Sequence, residues 1–219
     1  MTVTNCEGPV EKRLSHPVGL NEACFLPSLL PRGMREGGVV WRVRLYLGGQ
    51  CRVELNLHVL FVPTLITLTW ILAIPFLPNV FPGWHPLAYW LVATTVTLTD
   101  TFAALVHELG HAIAALARGR RVYRITLYGV AAAVRRSSGP PRPRDQFAIA
   151  LAGPVSHLLV ASALLCAWTI LPNDNEPLRV AAGFPAVSNL AVGMLNLLPI
   201  APLDGARVAR ALVAGMFRV

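Results

Sequence analysis

The stretch from Leu87 to Ala117, LAYWLVATTVTLTDTFAALVHELGHAIAALA, decides how this chain is read. It has no lysine or arginine and is long enough to cross a bilayer core, which needs about 20 largely apolar residues. Near its end it nevertheless carries His107, Glu108 and His111. Histidines at i and i+4 share one helix face, so two imidazoles can grip one metal ion, and the glutamate between them can serve as general base on a metal-bound water. Zinc suits such a site because it lowers the pKa of its water toward about 7. Two histidines and a glutamate are expensive to place in a lipid-embedded helix, which makes a functional cluster the default reading.

Working outward, further apolar runs cover Leu57 to Leu77, Phe147 to Leu171 and Val180 to about Leu203. With the first, they predict four transmembrane helices. Composition agrees: of 219 residues 54% are hydrophobic and 14% charged, against about 25% charged in an ordinary soluble domain. A disordered chain would be polar and charged, so that class is excluded as well. The net charge of +8 invites a nucleic-acid reading. The basic residues, however, fall in blocks between the apolar runs, so no nucleic-acid partner is expected.

Those blocks set the orientation. Seven basic residues lie in 1–56 and eight in the link 118–146, whereas the link 78–86 has none and the link 172–178 carries Asp174 and Glu176. The positive-inside rule places both termini and the 118–146 link in the cytoplasm, with Trp70, Phe76, Phe81, Trp84, Tyr89 and Trp90 forming an aromatic belt at the outer face. No secretory signal peptide is recognisable, because the first long apolar run starts near Leu55. Cys6, Cys24, Cys51 and Cys166 form no CxxC pair and are expected to be free thiols.

Residues 1–39 have scattered charge, proline and glycine and read as a cytoplasmic leader; 40–219 read as one membrane domain. From Val40 the pattern has period two. Trp41, Val43, Leu45 and Leu47 alternate with polar residues and Tyr46, Gly48-Gly49 follow, and Val53, Leu55 and Leu57 resume the alternation. That is a β-hairpin signature. A second strand-like piece spans Val122 to Tyr128. The predicted fold is an α-helical polytopic membrane protein with a broken C-terminal helix and short membrane-associated β segments.

A zinc ion needs a third protein ligand. No histidine follows at the extended spacing of the soluble H-E-x-x-H-x-x-G-x-x-H enzymes. The carboxylates after His111 are Asp145, in the basic link, Asp174 and Glu176, on the outer side, and Asp204. Asp204 is the one left, and its depth fits. At about 1.5 Å per residue, His111 lies about 10 Å and His107 about 16 Å in from Arg118, while Asp204 stands near the cytoplasmic end of the last run. Pro199, Pro202 and Gly205 should break the helix there, and broken helix at membrane depth is tolerated where it lines a polar cavity.

H-E-L-G-H in an early span, Ala152-Gly153-Pro154 in a middle one and Asn196-Leu-Leu-Pro-Ile-Ala-Pro-Leu-Asp204-Gly205 in the last together resemble the site-2 protease family, the intramembrane zinc metalloproteases of peptidase family M50. The likeness covers about residues 40 to 215. It implies His107, His111 and Asp204 as zinc ligands, Glu108 as base, and Asn196 as a residue that positions substrate or stabilises the oxyanion. It also implies an endopeptidase that cleaves the transmembrane helix of a single-pass protein in the bilayer of a bacterial plasma membrane, and a β-edge that receives the unwinding substrate by strand addition. Oligomeric state is not legible.

The chain departs from the family where G-P-x-x-N usually stands. Here the sequence is Gly153-Pro154-Val155-Ser156-His157, with His157 about 15 Å in from Phe147, level with His107. It reads as a partner of a ligand, a substrate contact or a competing nitrogen ligand. Asp100, two turns before His107, either orients a ligand histidine or sits near the outer water. Arg207 and Arg210 read as headgroup anchors. Two rival functions stay open: a metal carrier built on His107, His111, His157 and Asp100, and an inactive relative that binds membrane helices without cutting them.

Overall fold

A computed structural model describes residues 39–47, 51–120, 122–128, 132–136 and 142–216. The predicted leader and the Gly48-Gly49 turn lie outside them. Strands β1 (Val39–Leu47) and β2 (Cys51–His58) pair antiparallel, Leu47 opposite Cys51. Helix α1 follows over Phe61–Val80, then α2 (Pro86–Leu116), β3 (Val122–Leu127), β4 (Ala132–Arg136), α3 (Pro143–Ile170), α4 (Glu176–Asn196) and α5 (Asp204–Met216). Strand β3 lies parallel to β2, and β4 antiparallel to β3, giving the sheet order β1-β2-β3-β4. Parallel neighbours need a long crossover; here α1 and α2 provide it.

Helices α1 to α4 are each long and apolar enough to cross a membrane. Their outward faces carry Ile66, Leu91, Phe102, Leu159 and Val187, all more than half exposed. In water such a surface would aggregate; facing lipid it is at rest. The protein is an integral membrane protein. Local signals set the helix ends. His85 caps α2 by accepting the Leu87 N–H at 3.3 Å, and Gly119, at φ 69°, closes it where a side chain would be strained. Asn175 caps α4 through Leu178 N–H. Pro75 removes a backbone donor inside α1, and the helix widens to π geometry over Leu72–Phe76.

Some boundaries differ from expectation. The first span begins at Phe61, because Leu57 and His58 are still hydrogen-bonded in β2. His58 is buried against Tyr128, ring centroids 4.6 Å apart. The fourth span stops at Asn196 rather than near Leu203, since Pro199 and Pro202 cannot continue it. β4 was not foreseen. Part of the predicted aromatic belt turns inward: Phe81 and Trp84 stack at 5.2 Å and Trp84 and Tyr89 at 5.3 Å, and Tyr89 Oη donates to Phe81 O.

Two apolar clusters hold the bundle. At one end Ala73 and Leu77 of α1 meet Tyr89, Val92, Ala93 and Val96 of α2. At the other end Ile125 and Leu127 of β3 pack on Ala112 and Ala115 of α2 and on Ile149 of α3. Between the clusters the buried face of α2 turns polar, with Thr97, Thr101, His107, Glu108 and His111. The sheet is thus seated directly beyond the histidines.

Candidate metal centre

His107 and His111 lie one helical turn apart, with Nε2 atoms 3.1 Å from each other. After the break that follows α4, the chain re-enters as α5 with Asp204 as its first residue. The Asp204 Oδ2 atom stands 3.1 Å from His107 Nε2 and 2.9 Å from His111 Nε2. All three side chains are buried. They form a group that could hold a metal ion, and the elimination that singled out Asp204 agrees with this convergence.

The hydrogen bonding argues for a cation among them. His111 Nδ1 lies 2.6 Å from Ile149 O, and a carbonyl oxygen only accepts, so Nδ1 carries the ring proton. In the neutral ring Nε2 is then a lone pair facing a carboxylate oxygen. Two electron-rich atoms at that distance repel unless a proton or a metal cation stands between them. The triangle of ligand atoms, 2.9 to 3.1 Å on an edge, is close to the face of a zinc tetrahedron, whose edge is about 3.3 Å for Zn–N of about 2.0 Å. Two imidazoles and one carboxylate leave the fourth position open, as in a catalytic zinc site. The residues fit zinc.

Supporting contacts were less legible. Arg207, read from sequence as a headgroup anchor, instead donates from Nη1 to Asp204 Oδ1 at 3.0 Å and is mostly buried. Spacing i, i+3 from an acid was the available signal. Arg207 leaves Oδ2 free for the metal and fixes the carboxylate plane. Removing such an outer partner reduces metal affinity by about 10–100-fold; Arg207→Ala is expected to do so in competition titration with a zinc chelator. Arg210, by contrast, is exposed.

Gly153 of α3 lies against the imidazoles. A Cβ there would collide with Nε2 and Cε1 of His111 and stand 2.6 Å from His107 Nε2. The Gly153 of the A-G-P motif therefore lets α3 approach the ligand atoms themselves. Gly153→Ala must push the rings apart, and overpacking costs about 1–3 kcal/mol. Zinc affinity, measured by the same titration, should fall by about tenfold or more.

Of the remaining predicted residues, Glu108 is buried on the same helix, and Asn196 is the half-buried last residue of α4, at the entry to the break. His157 packs its ring 4.8 Å from that of His107, and its Nδ1 is 2.7 Å from Asn189 Oδ1. Asp100 does not touch a ligand histidine; its Oδ1 accepts from Ser188 Oγ at 2.9 Å and Asn189 Nδ2 at 2.8 Å. Ser188 and Asn189 were not singled out from sequence, although an asparagine in an apolar span is itself such a signal. Cys166 is exposed and free.

Residues 83–198 match the family model described as Peptidase M50B-like. The chain belongs to this family. The Peptidase M50B-like segment runs from just before α2, through both histidines, to the break after α4. The chain is 33% identical over 167 residues to Rip3 of Mycobacterium tuberculosis, covering 75% of this chain and 42% of that protein. It is 32% identical over 133 residues to Stage IV sporulation protein FB of Bacillus subtilis, covering 57% and 44% respectively. The chain thus spans less than half the length of these relatives. Its fold is similar to that of the site-2 protease from Methanocaldococcus jannaschii, with a TM-score of 0.50 and 21% identity over 81% of this chain and 74% of the other.

Proposed function

We propose that this Peptidase M50B-like protein is a zinc-dependent endopeptidase that cleaves the transmembrane segment of single-pass membrane proteins. The observation that carries the reading is the convergence of His107, His111 and Asp204 on one point, with Glu108 buried on the same membrane-crossing helix as the two histidines. His107, His111 and Asp204 would hold the metal. Bound there, zinc polarises a carbonyl and makes a water nucleophilic at neutral pH.

The other parts belong to the chain. Glu108 takes the proton of the attacking water and delivers it to the departing amine nitrogen. Asn196 and His157 contact the unwound substrate backbone, Asn196 in a positioning or oxyanion role. A peptide bond inside an intact helix is shielded by its own hydrogen bonds, so the client must unwind before it is cut. An extended segment can then add to a sheet edge. The sheet order leaves β4 at an edge, and β3 and β4 lie against α2, which favours β4 for that role. Basic residues in the 118–146 link favour the cytoplasmic side for this end of the bundle and for water entry, and the membrane we assign is a bacterial plasma membrane.

The direct test uses purified full-length chain in vesicles with a single-pass substrate. Mass spectrometry of the fragments should locate the cut within the transmembrane segment. A zinc chelator should stop cleavage and added zinc restore it. Zinc flux across the vesicle without any fragment would select the carrier instead.

A further inference from the structure

We propose that Asp100 and Asn189 are positioning residues that lock His157 in one tautomer, so that its Nε2 accepts a hydrogen bond from a backbone N–H of the unwound substrate. This rests on the proteolytic reading and specifies what His157 offers there. Asn189 Nδ2 lies 2.7 Å from Pro185 O as well as 2.8 Å from Asp100 Oδ1. The Pro185 carbonyl can only accept, which fixes which end of the Asn189 amide is the NH2 group. Its oxygen therefore faces His157, and the 2.7 Å contact requires His157 Nδ1 to be the donor.

A neutral imidazole has one N–H, here spent on Asn189. Nε2 is left as an acceptor, on a ring 4.8 Å from that of His107. Among the described residues it neither joins the group formed by His107, His111 and Asp204 nor bonds to another side chain, so it can accept from another donor. An unwound peptide presents N–H groups that have lost their helical partners, and each left unpaired when buried is unfavourable. Placing an acidic side chain in the span is itself costly. Asp100 is half-buried and bonded across to α4, as expected of a residue that anchors the amide from behind.

The test has two arms on the full-length protein in phosphatidylcholine vesicles. In the first, nitrogen NMR of ¹⁵N-histidine protein reads the His157 tautomer. Wild type should show Nδ1 protonated and Nε2 bare, and Asn189→Leu should mix the tautomers, with Asp100→Asn producing a smaller change. In the second, a synthetic oligoleucine transmembrane peptide with a central Asn-Gly break carries single backbone N-methyl groups placed in turn around the cut. Wild type should lose about tenfold in kcat/KM at one position, roughly the value of one buried hydrogen bond. His157→Phe should cleave the parent peptide about tenfold more slowly, lose nothing further at that position, and retain its zinc. A protonated Nε2 in wild type, parallel N-methyl losses in both proteins, or zinc loss in His157→Phe would each overturn the assignment. No cleavage by wild type would overturn the proteolytic reading and the substrate contact with it, whereas the NMR arm decides the tautomer lock independently.

Discussion

Glu108→Gln is expected to bind zinc like the wild type and to cleave a single-pass substrate about 10²–10⁴-fold more slowly, the usual contribution of a positioned general base. The amide keeps the size and hydrogen-bonding reach of the carboxylate but cannot take a proton. Glu108 lies between the two histidines in sequence, is buried with them and is not one of the three converging groups, so the isosteric substitution removes no ligand. Zinc content and cleavage therefore separate: equal metal with lost turnover identifies the base. The same variant discriminates the rival functions. A metal carrier has no need of a proton acceptor at this position and would keep its zinc flux, and an inactive relative would show no cleavage in either protein. Should Glu108→Gln cleave at the wild-type rate, another group takes the proton and the assignment of Glu108 is lost.

The spans were legible in the sequence because lipid imposes a requirement that no tertiary contact can relax. Every stretch that crosses must be apolar for about 20 residues, and Pro86–Leu116 and Pro143–Ile170 end within a few residues of their apolar runs. The metal cluster was legible because i, i+4 histidines announce a helix face and few carboxylates remained to complete it. The stop of α4 was harder. Leu197 to Leu203 are as apolar as the span before them, and hydropathy cannot distinguish a helix from a break that lines a cavity. β4 was missed for a related reason: Ala132-Ala133-Val134-Arg135-Arg136 has no alternation, and its partner β3 supplies the pairing. Arg207 was misread because charge at a helix end suits a headgroup as well as an acid one turn away. Only the fold, which starts α5 at Asp204, decides between them.

Asp204→Ala is expected to remove bound zinc and, with it, cleavage. Three ligand atoms within about 3 Å of one another define the site, and alanine deletes the only one that carries formal charge. The loss should exceed the about 10–100-fold that follows removal of an outer partner, because two imidazoles alone leave the ion half-coordinated and uncompensated in a buried setting. Zinc per chain after dialysis measures it. The informative control is His157→Ala, whose ring touches His107 but does not join the converging atoms; it should keep its metal. The reverse outcome, metal retained without Asp204 and lost without His157, would mean that the third ligand is a nitrogen from α3. Arg207 sharpens the comparison further. In Asp204→Ala its guanidinium is left beside the histidines without the carboxylate that it bonds at 3.0 Å, and a cation there opposes zinc. The double variant Asp204→Ala with Arg207→Ala should accordingly recover part of the affinity lost by Asp204→Ala alone, the non-additivity expected of residues in direct contact.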